Sequence, residues 1–158
     1  MQIESFFPYR LAIAAESFSR RLATVYGREF GLSREEWRML FLLRGGAVNS
    51  AELGRRTTLD KVQVSRAGQR LEDRGLITRR VLPADRRLRE FRLTEAGRAL
   101  FDAAFPEVED TAAGLLDRLA PEDRAALMQG LDALMAAMEC LPVPPGETGP
   151  PLAEPAGS

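Results

Sequence analysis

Lys61, Gln63, Ser65, Arg66, Gln69 and Arg70 all fall between positions 61 and 70. Each carries a side chain able to hydrogen-bond to a base edge or a phosphate. Arg and Gln can each place two parallel bonds on a purine, guanine for Arg and adenine for Gln, and a small apolar group such as Val62 can touch a thymine methyl. A second group follows in the Arg-rich turn Pro83-Ala84-Asp85-Arg86-Arg87. A guanidinium at a hairpin tip can enter a narrow minor groove, where the potential is most negative. Asp85 stands two residues before Arg87, within reach of its side chain.

These side chains need a scaffold that aims them. Stepping about 100° per residue puts Val64, Ala67, Gly68 and Leu71 on one side of a helix, with Val62, Arg66, Gln69, Arg70 and Asp73 near the other and Gln63 and Ser65 on the flanks. Asn49 with Glu52 caps a short preceding helix ending near Arg56. Thr57 and Thr58 then make a polar corner, with Thr58 or a neighbour capping the next helix. Two short helices joined in this way form a helix-turn-helix. In such a motif the N-terminal part of the second helix enters the major groove, which favours Lys61, Gln63, Ser65 and Arg66 over Arg74. Gly75 stops that helix. Leu76 to Leu82 and Leu88 to Leu93 then read as strands on either side of the Arg-rich turn, with Phe91 and Leu93 on one face and Glu90 and Arg92 on the other. Gly68 is expected to mark close helix packing.

The rest of the chain reads as amphipathic helices. Leu11, Ala14, Ala15, Phe18, Leu22, Val25 and Tyr26 form a stripe between Pro8 and about Phe30, and Gly31 is a C-terminal stop. Ser33 and Glu36 make a capping box, with Leu32 and Trp37 at hydrophobic-staple positions, and the helix runs on to Gly45-Gly46. Thr94 caps a helix carrying Leu100 through Leu119, which Pro106 is expected to kink or split. Pro121 opens a last helix with Leu127, Leu131, Leu134, Met135 and Met138. Beyond Cys140, the proline-rich segment 141–158 reads as disordered.

Charge separates the same middle region from its flanks. The chain of 158 residues has a net charge of -1, yet Arg44 to Arg98 carries +7 and the remainder -8. A cationic centre in an acidic chain suits a protein that holds phosphates at one face only. There is no histidine and one cysteine, Cys140. The chain therefore offers no imidazole for zinc or general base work and no internal disulfide. Without a Gly-rich phosphate loop or a paired-carboxylate motif, enzyme function, cofactor and metal are not expected. No run of about 18 apolar residues is present, and Met1 to Ser5 lacks a basic region followed by an apolar one, so no membrane partner and a cytoplasmic location are expected.

Leu53-Gly54, Asp60 to Arg66, Leu71-Glu72-Asp73-Arg74-Gly75-Leu76-Ile77, Asp85-Arg86-Arg87 and Leu93-Thr94-Glu95-Ala96-Gly97, in this order, resemble the MarR family of bacterial transcription regulators. The resemblance runs from about Tyr9 to Met138. It implies a mainly α fold with a small β-wing: a winged helix-turn-helix lobe over 33–97, flanked by an N-terminal dimerisation helix in 1–32 and C-terminal dimerisation helices in 98–140. It also implies a homodimer on a pseudo-palindromic double-stranded DNA operator, with Arg87 in the minor groove, Asp85 pairing with it, and Arg86 on the backbone. Many members leave DNA on binding small aromatic acids, phenols or acyl-CoA thioesters, which here implies a repressor with Phe7, Tyr9, Arg10, Ser17, Trp37, Arg38 and Phe41 lining the effector pocket. Zinc-sensing members use His-rich sites, absent here, and peroxide-sensing members place a reactive Cys in the first helix, unlike Cys140. The alternative is a winged-helix module that binds a protein partner and keeps its arginines as a solvated face.

Overall fold

The computed structural model describes residues 3–139. Expectations for Cys140 and for the segment 141–158 lie outside the described residues. After a short 3-10 turn at Ile3–Ser5, six helices and three strands follow: α1 (Phe7–Arg28), α2 (Arg34–Leu43), β1 (Val48–Asn49), α3 (Ser50–Thr57), α4 (Lys61–Asp73), β2 (Ile77–Val81), β3 (Arg89–Leu93), α5 (Glu95–Leu116) and α6 (Pro121–Glu139).

Local capping chemistry sets most of these boundaries. The Ser33 and Glu36 capping box is complete, and Leu32 and Trp37, the staple residues, are both buried. Asn49 caps α3 by accepting from the Glu52 N–H at 2.9 Å, and Thr94 caps α5 by accepting from the Gly97 N–H at 3.0 Å. At the turn between α3 and α4 the cap is Asp60, the neighbour, and not Thr58. Thr58 instead closes α3 in the left-handed region at φ 60, while Asp60 and Gln63 form a second reciprocal capping box.

α4 buries Val64, Ala67, Gly68 and Leu71, the side that helical spacing assigns to the core. They pack with Met39, Leu40 and Leu43 of α2, Leu53 of α3, and Ile77, Phe91 and Leu93 of the sheet in one cluster. A Cβ at Gly68 would stand 2.7 Å from Cε1 of Phe91, so the expected close packing is between this helix and the wing strand. The sheet has three antiparallel strands in the order β1-β3-β2, with Val48 opposite Phe91 and Ile77 opposite Leu93. β1 is absent from the sequence reading because two residues are too few to show a period.

α5 runs unbroken from Glu95 to Leu116 with Pro106 inside it, so the helix is not split, and Leu119 falls in the turn before α6. Proline removes one main-chain bond. Phe101 and Ala104 before it, and Val108 after it, are all buried, so core packing holds both sides of the break. α1 packs along α5, and Phe18, Leu22, Val25 and Tyr26 of its stripe are covered, whereas Leu11, Ala14 and Ala15 stand exposed. No residue of α6 is buried, and its Leu127, Met128, Leu131, Met135 and Met138 are open to solvent.

Candidate nucleic-acid interface and adjoining cleft

All six polar candidates on α4 are exposed, but their partners divide the helix in two. Lys61, Ser65 and Arg66 have side chains without a partner among the described residues. Gln63 is half engaged: its Oε1 accepts from the Asp60 N–H at 3.0 Å, which leaves its amide NH2 to point outward. In the second half the side chains each have a partner within the protein. Gln69 donates to Asp73 Oδ1 at 2.7 Å and accepts from Arg79 at 2.7 Å, and Arg70 Nε donates to Glu36 Oε1 at 2.9 Å. The helix therefore presents free donors at its N-terminal end, the end that enters a major groove in helix-turn-helix proteins.

The wing repeats this division. Along its strands, Arg79 pairs with Glu72 at 2.8 Å and Arg80 with Glu90 at 2.7 Å. At its tip, the guanidinium groups of Arg86 and Arg87 carry no partner among the described residues. Asp85 does not hold the Arg87 side chain as the sequence implied. Its Oδ1 accepts from the Arg87 main-chain N–H at 2.9 Å, while its carbonyl accepts from the Leu88 N–H at 3.0 Å. A carboxylate followed two residues later by an N–H is the short-range turn bond that Asp favours, and it fixes the loop rather than the guanidinium. Of the remaining cations in this span, Arg44 and Arg56 also face carboxylates, whereas Arg55 on α3 and Arg98 on α5 face none among the described residues.

Behind α4, a cleft of about 480 Å³ opens between α1, α2 and the α3–α4 corner. Trp37 is buried beside it, stacked on Tyr26 at 5.2 Å and on Phe101 at 5.3 Å. Phe41 is 52% exposed and forms part of the wall. Of the residues expected to line a pocket, Trp37, Arg38 and Phe41 do so, while Phe7, Tyr9, Arg10 and Ser17 lie on the exposed half of α1 outside it. The sequence reading missed Ser19, Tyr26, Arg34, Arg56, Thr57 and Thr58 in the lining. The four-residue spacing of Arg34 and Arg38, which puts both on one face of α2, was the available signal.

The three arginines of this cleft differ in their commitments. Arg34 forks onto Glu16 through two bonds of 2.9 and 3.0 Å, and Arg20 donates to the same carboxylate. The hydrogen bonds from Arg34, and then from Arg20, hold the Glu16 carboxyl well below its ordinary 4.5, at about 2. Arg56 faces Glu52 at 3.3 Å. Arg38 has only neutral acceptors, the Thr57 carbonyl and the Thr58 hydroxyl, both at 3.3 Å. Burial pushes the Tyr26 phenol upward, which keeps it a neutral hydrogen-bonding group.

Known proteins share much of this fold. The model of the MarR family matches residues 30–88. A transcriptional regulator of helix-turn-helix type from Bacillus subtilis, YdgJ, is 28% identical over 102 residues, which make up 64% of this chain and 62% of that protein. The chain thus matches less than two thirds of that relative's length. A MarR-family transcriptional regulator from Silicibacter pomeroyi is 29% identical with a TM-score of 0.75, over 87% of this chain and 98% of that one. The BpsR protein of Bordetella bronchiseptica, whose DNA binding is regulated by 6-hydroxynicotinic acid, shares the fold at 24% identity and a TM-score of 0.74, over 90% of this chain and 99% of its own. The family match falls on the helix-turn-helix and the first strand and tip of the wing, and the structural match extends over most of the chain: in these residues and in its fold this chain is similar to regulators of the MarR family.

Proposed function

We propose that this protein is a homodimeric transcriptional repressor that binds a pseudo-palindromic duplex and releases it on taking up a small aromatic acid, phenol or aryl-CoA. One observation carries the DNA-binding part. The cations at the start of α4 and at the wing tip have no partner among the described residues, while Arg79 and Arg80 on the wing strand are paired. A cation already paired within the protein has less to gain from a phosphate than a bare one. Lys61, Gln63, Ser65 and Arg66 meet bases and nearby phosphates in the major groove, Arg87 reaches the minor groove, and Arg86 contacts the backbone. The DNA binding of BpsR, which shares the fold, supports the same reading.

The dimer reading rests on the apolar side chains that the single chain leaves uncovered. Phe7, Leu11 and Ile13 on α1, with Leu127, Leu131 and Met135 on α6, are all at least 40% exposed. Burying such area is worth roughly 25 cal/mol per Å², and a second copy of the chain supplies the matching surface. The effector reading rests on the aromatic cleft with Arg38 at its edge, since a guanidinium beside aromatic rings suits an aryl carboxylate.

Gel-shift titration tests the reading, with a duplex selected from a random-sequence pool by the unmodified protein. Arg66→Ala combined with Arg87→Ala should abolish the shift. If the pool yields no retarded duplex at low salt, or the double variant binds as before, the winged-helix module that binds a protein partner becomes the better account.

A further inference from the structure

Glu36 is the only buried charged residue among those described, at 4% exposure. Its Oε2 accepts from the Ser33 N–H at 2.7 Å as half of the α2 capping box, and its Oε1 accepts from Arg70 Nε at 2.9 Å. Arg74 approaches Oε2 at 3.9 Å but gives its terminal nitrogens to the carbonyls of Gly31 and Phe30. Arg70 is bound differently. Only its Nε is engaged, its side chain is 49% exposed, and both terminal NH2 groups are without a partner among the described residues.

Arg70 follows Arg66 by four residues and Gln63 by seven, which is about 40° and 20° around an α-helix. It therefore shares a helix face with groups already assigned to DNA. A guanidinium is a planar fork, and a carboxylate fixed on Nε sets both the plane and the direction of the two free NH2 groups. The carboxylate is itself fixed by the capping bond to Ser33 and by burial in the α2–α4 contact.

We propose that Glu36 is a positioning residue for DNA binding: from the buried side of α4 it holds Arg70 as a phosphate clamp that grips through its two terminal nitrogens. The inference rests on the DNA-binding reading above. It also opposes simple electrostatics, in which removing a carboxylate near DNA strengthens binding.

The two views part in salt-dependent titrations against the pool-selected duplex. Glu36→Met should weaken binding about tenfold although it removes a negative charge. Glu36→Gln, which keeps an oxygen for only one of the Ser33 N–H and Arg70 Nε and turns an NH2 toward the other, should lose affinity by less than Glu36→Met. Arg70→Met should lower the slope of log K against log salt by about one, and the double variant with Glu36→Met should bind no more weakly than Arg70→Met alone. Arg70→Lys, which keeps the charge but not the fork, should lose affinity with the slope unchanged, and this variant tests the clamp even if Glu36→Met fails to fold. Tighter binding by Glu36→Met, additive losses in the double variant, or unaltered binding by Arg70→Lys would each overturn the proposal. If the unmodified protein binds no duplex, it is the DNA-binding reading that falls first.

Discussion

Gly97 sits directly against the main chain of Leu76: a Cβ on Gly97 would stand 1.9 Å from the Leu76 carbonyl oxygen and 2.8 Å from its carbonyl carbon. The same carbonyl accepts from the Thr94 N–H at 3.1 Å, and the Thr94 hydroxyl donates to the Gly75 carbonyl at 2.7 Å. The first turn of α5 is thereby seated on the entry to β2, backbone on backbone, which joins the wing to the helix that leads out of the lobe.

Gly97→Ala should therefore destabilise the protein by about 3 kcal/mol, since main-chain atoms cannot yield to an added methyl as a flexible side chain can. Ala favours a helix over Gly by about 1 kcal/mol, so a variant as stable as the parent in urea denaturation would mean that α5 is not seated in this way.

Gly68→Ala offers a milder version of the same test. Its Cβ would meet Phe91 Cε1 at 2.7 Å and Met39 Cε at 3.6 Å, both side-chain atoms. The expected loss is about 1 to 2 kcal/mol after the gain in helix propensity. Phe91→Leu in the Gly68→Ala background should cost less than Phe91→Leu alone, and urea melts of the four proteins measure that coupling.

Arg38 links the aromatic cleft to the corner before α4 through bonds of 3.3 Å to the Thr57 carbonyl and the Thr58 hydroxyl. An anion in the cleft competes with weaker, neutral acceptors here, whereas at Arg34 it competes with a two-bond ion pair. Arg38→Met should thus abolish any thermal shift caused by 6-hydroxynicotinic acid used as a probe. Glu52→Gln, which frees Arg56 but leaves Arg38 as it is, should preserve the shift. The opposite pattern would move the anchor to Arg56.

The Glu16 ion pair makes a signed prediction about acid. Its carboxyl is ordinary at 4.5 in the unfolded chain and lies at about 2 in the fold. The pair therefore contributes fully above pH 4.5, and its contribution is lost as pH falls toward 2. Glu16→Gln should be less stable than the parent at pH 6, with the difference shrinking through that window in urea melts at stepped pH. A difference that stays constant would deny the ion pair a stabilising role.

Sequence alone exposes what depends on short spacing. The capping boxes, the buried face of α4 and the stops at Gly31 and Gly75 each follow from residues within a turn or two of one another. What it hides depends on contacts across the fold. β1 exists because Val48 lies opposite Phe91, a pairing over forty residues of separation that a two-residue strand cannot announce. Pro106 reads as a breaker until the burial of Phe101 and Val108 is known. In the sites, exposure on α4 was readable from its period, but commitment was not. That Arg70 meets Glu36 while Arg66 meets no partner among the described residues is decided by how α2 lies against α4. Asp85 bonds the Arg87 main-chain N–H where a pair with its guanidinium was expected, because a side chain-to-backbone turn bond and a side chain-to-side chain pair share the same spacing.

Lys61 opens α4, is exposed, and is the single lysine among 22 basic residues. Arginine does not react with acylating reagents under the mild conditions that modify an ε-amine, so apart from the chain's α-amino group an amine-selective reagent finds one amine in this sequence, at the start of the reading helix. The protein carries a built-in chemical reporter: acylation of Lys61 should be slowed by bound DNA, and the acylated protein, with one positive charge removed, should bind less tightly.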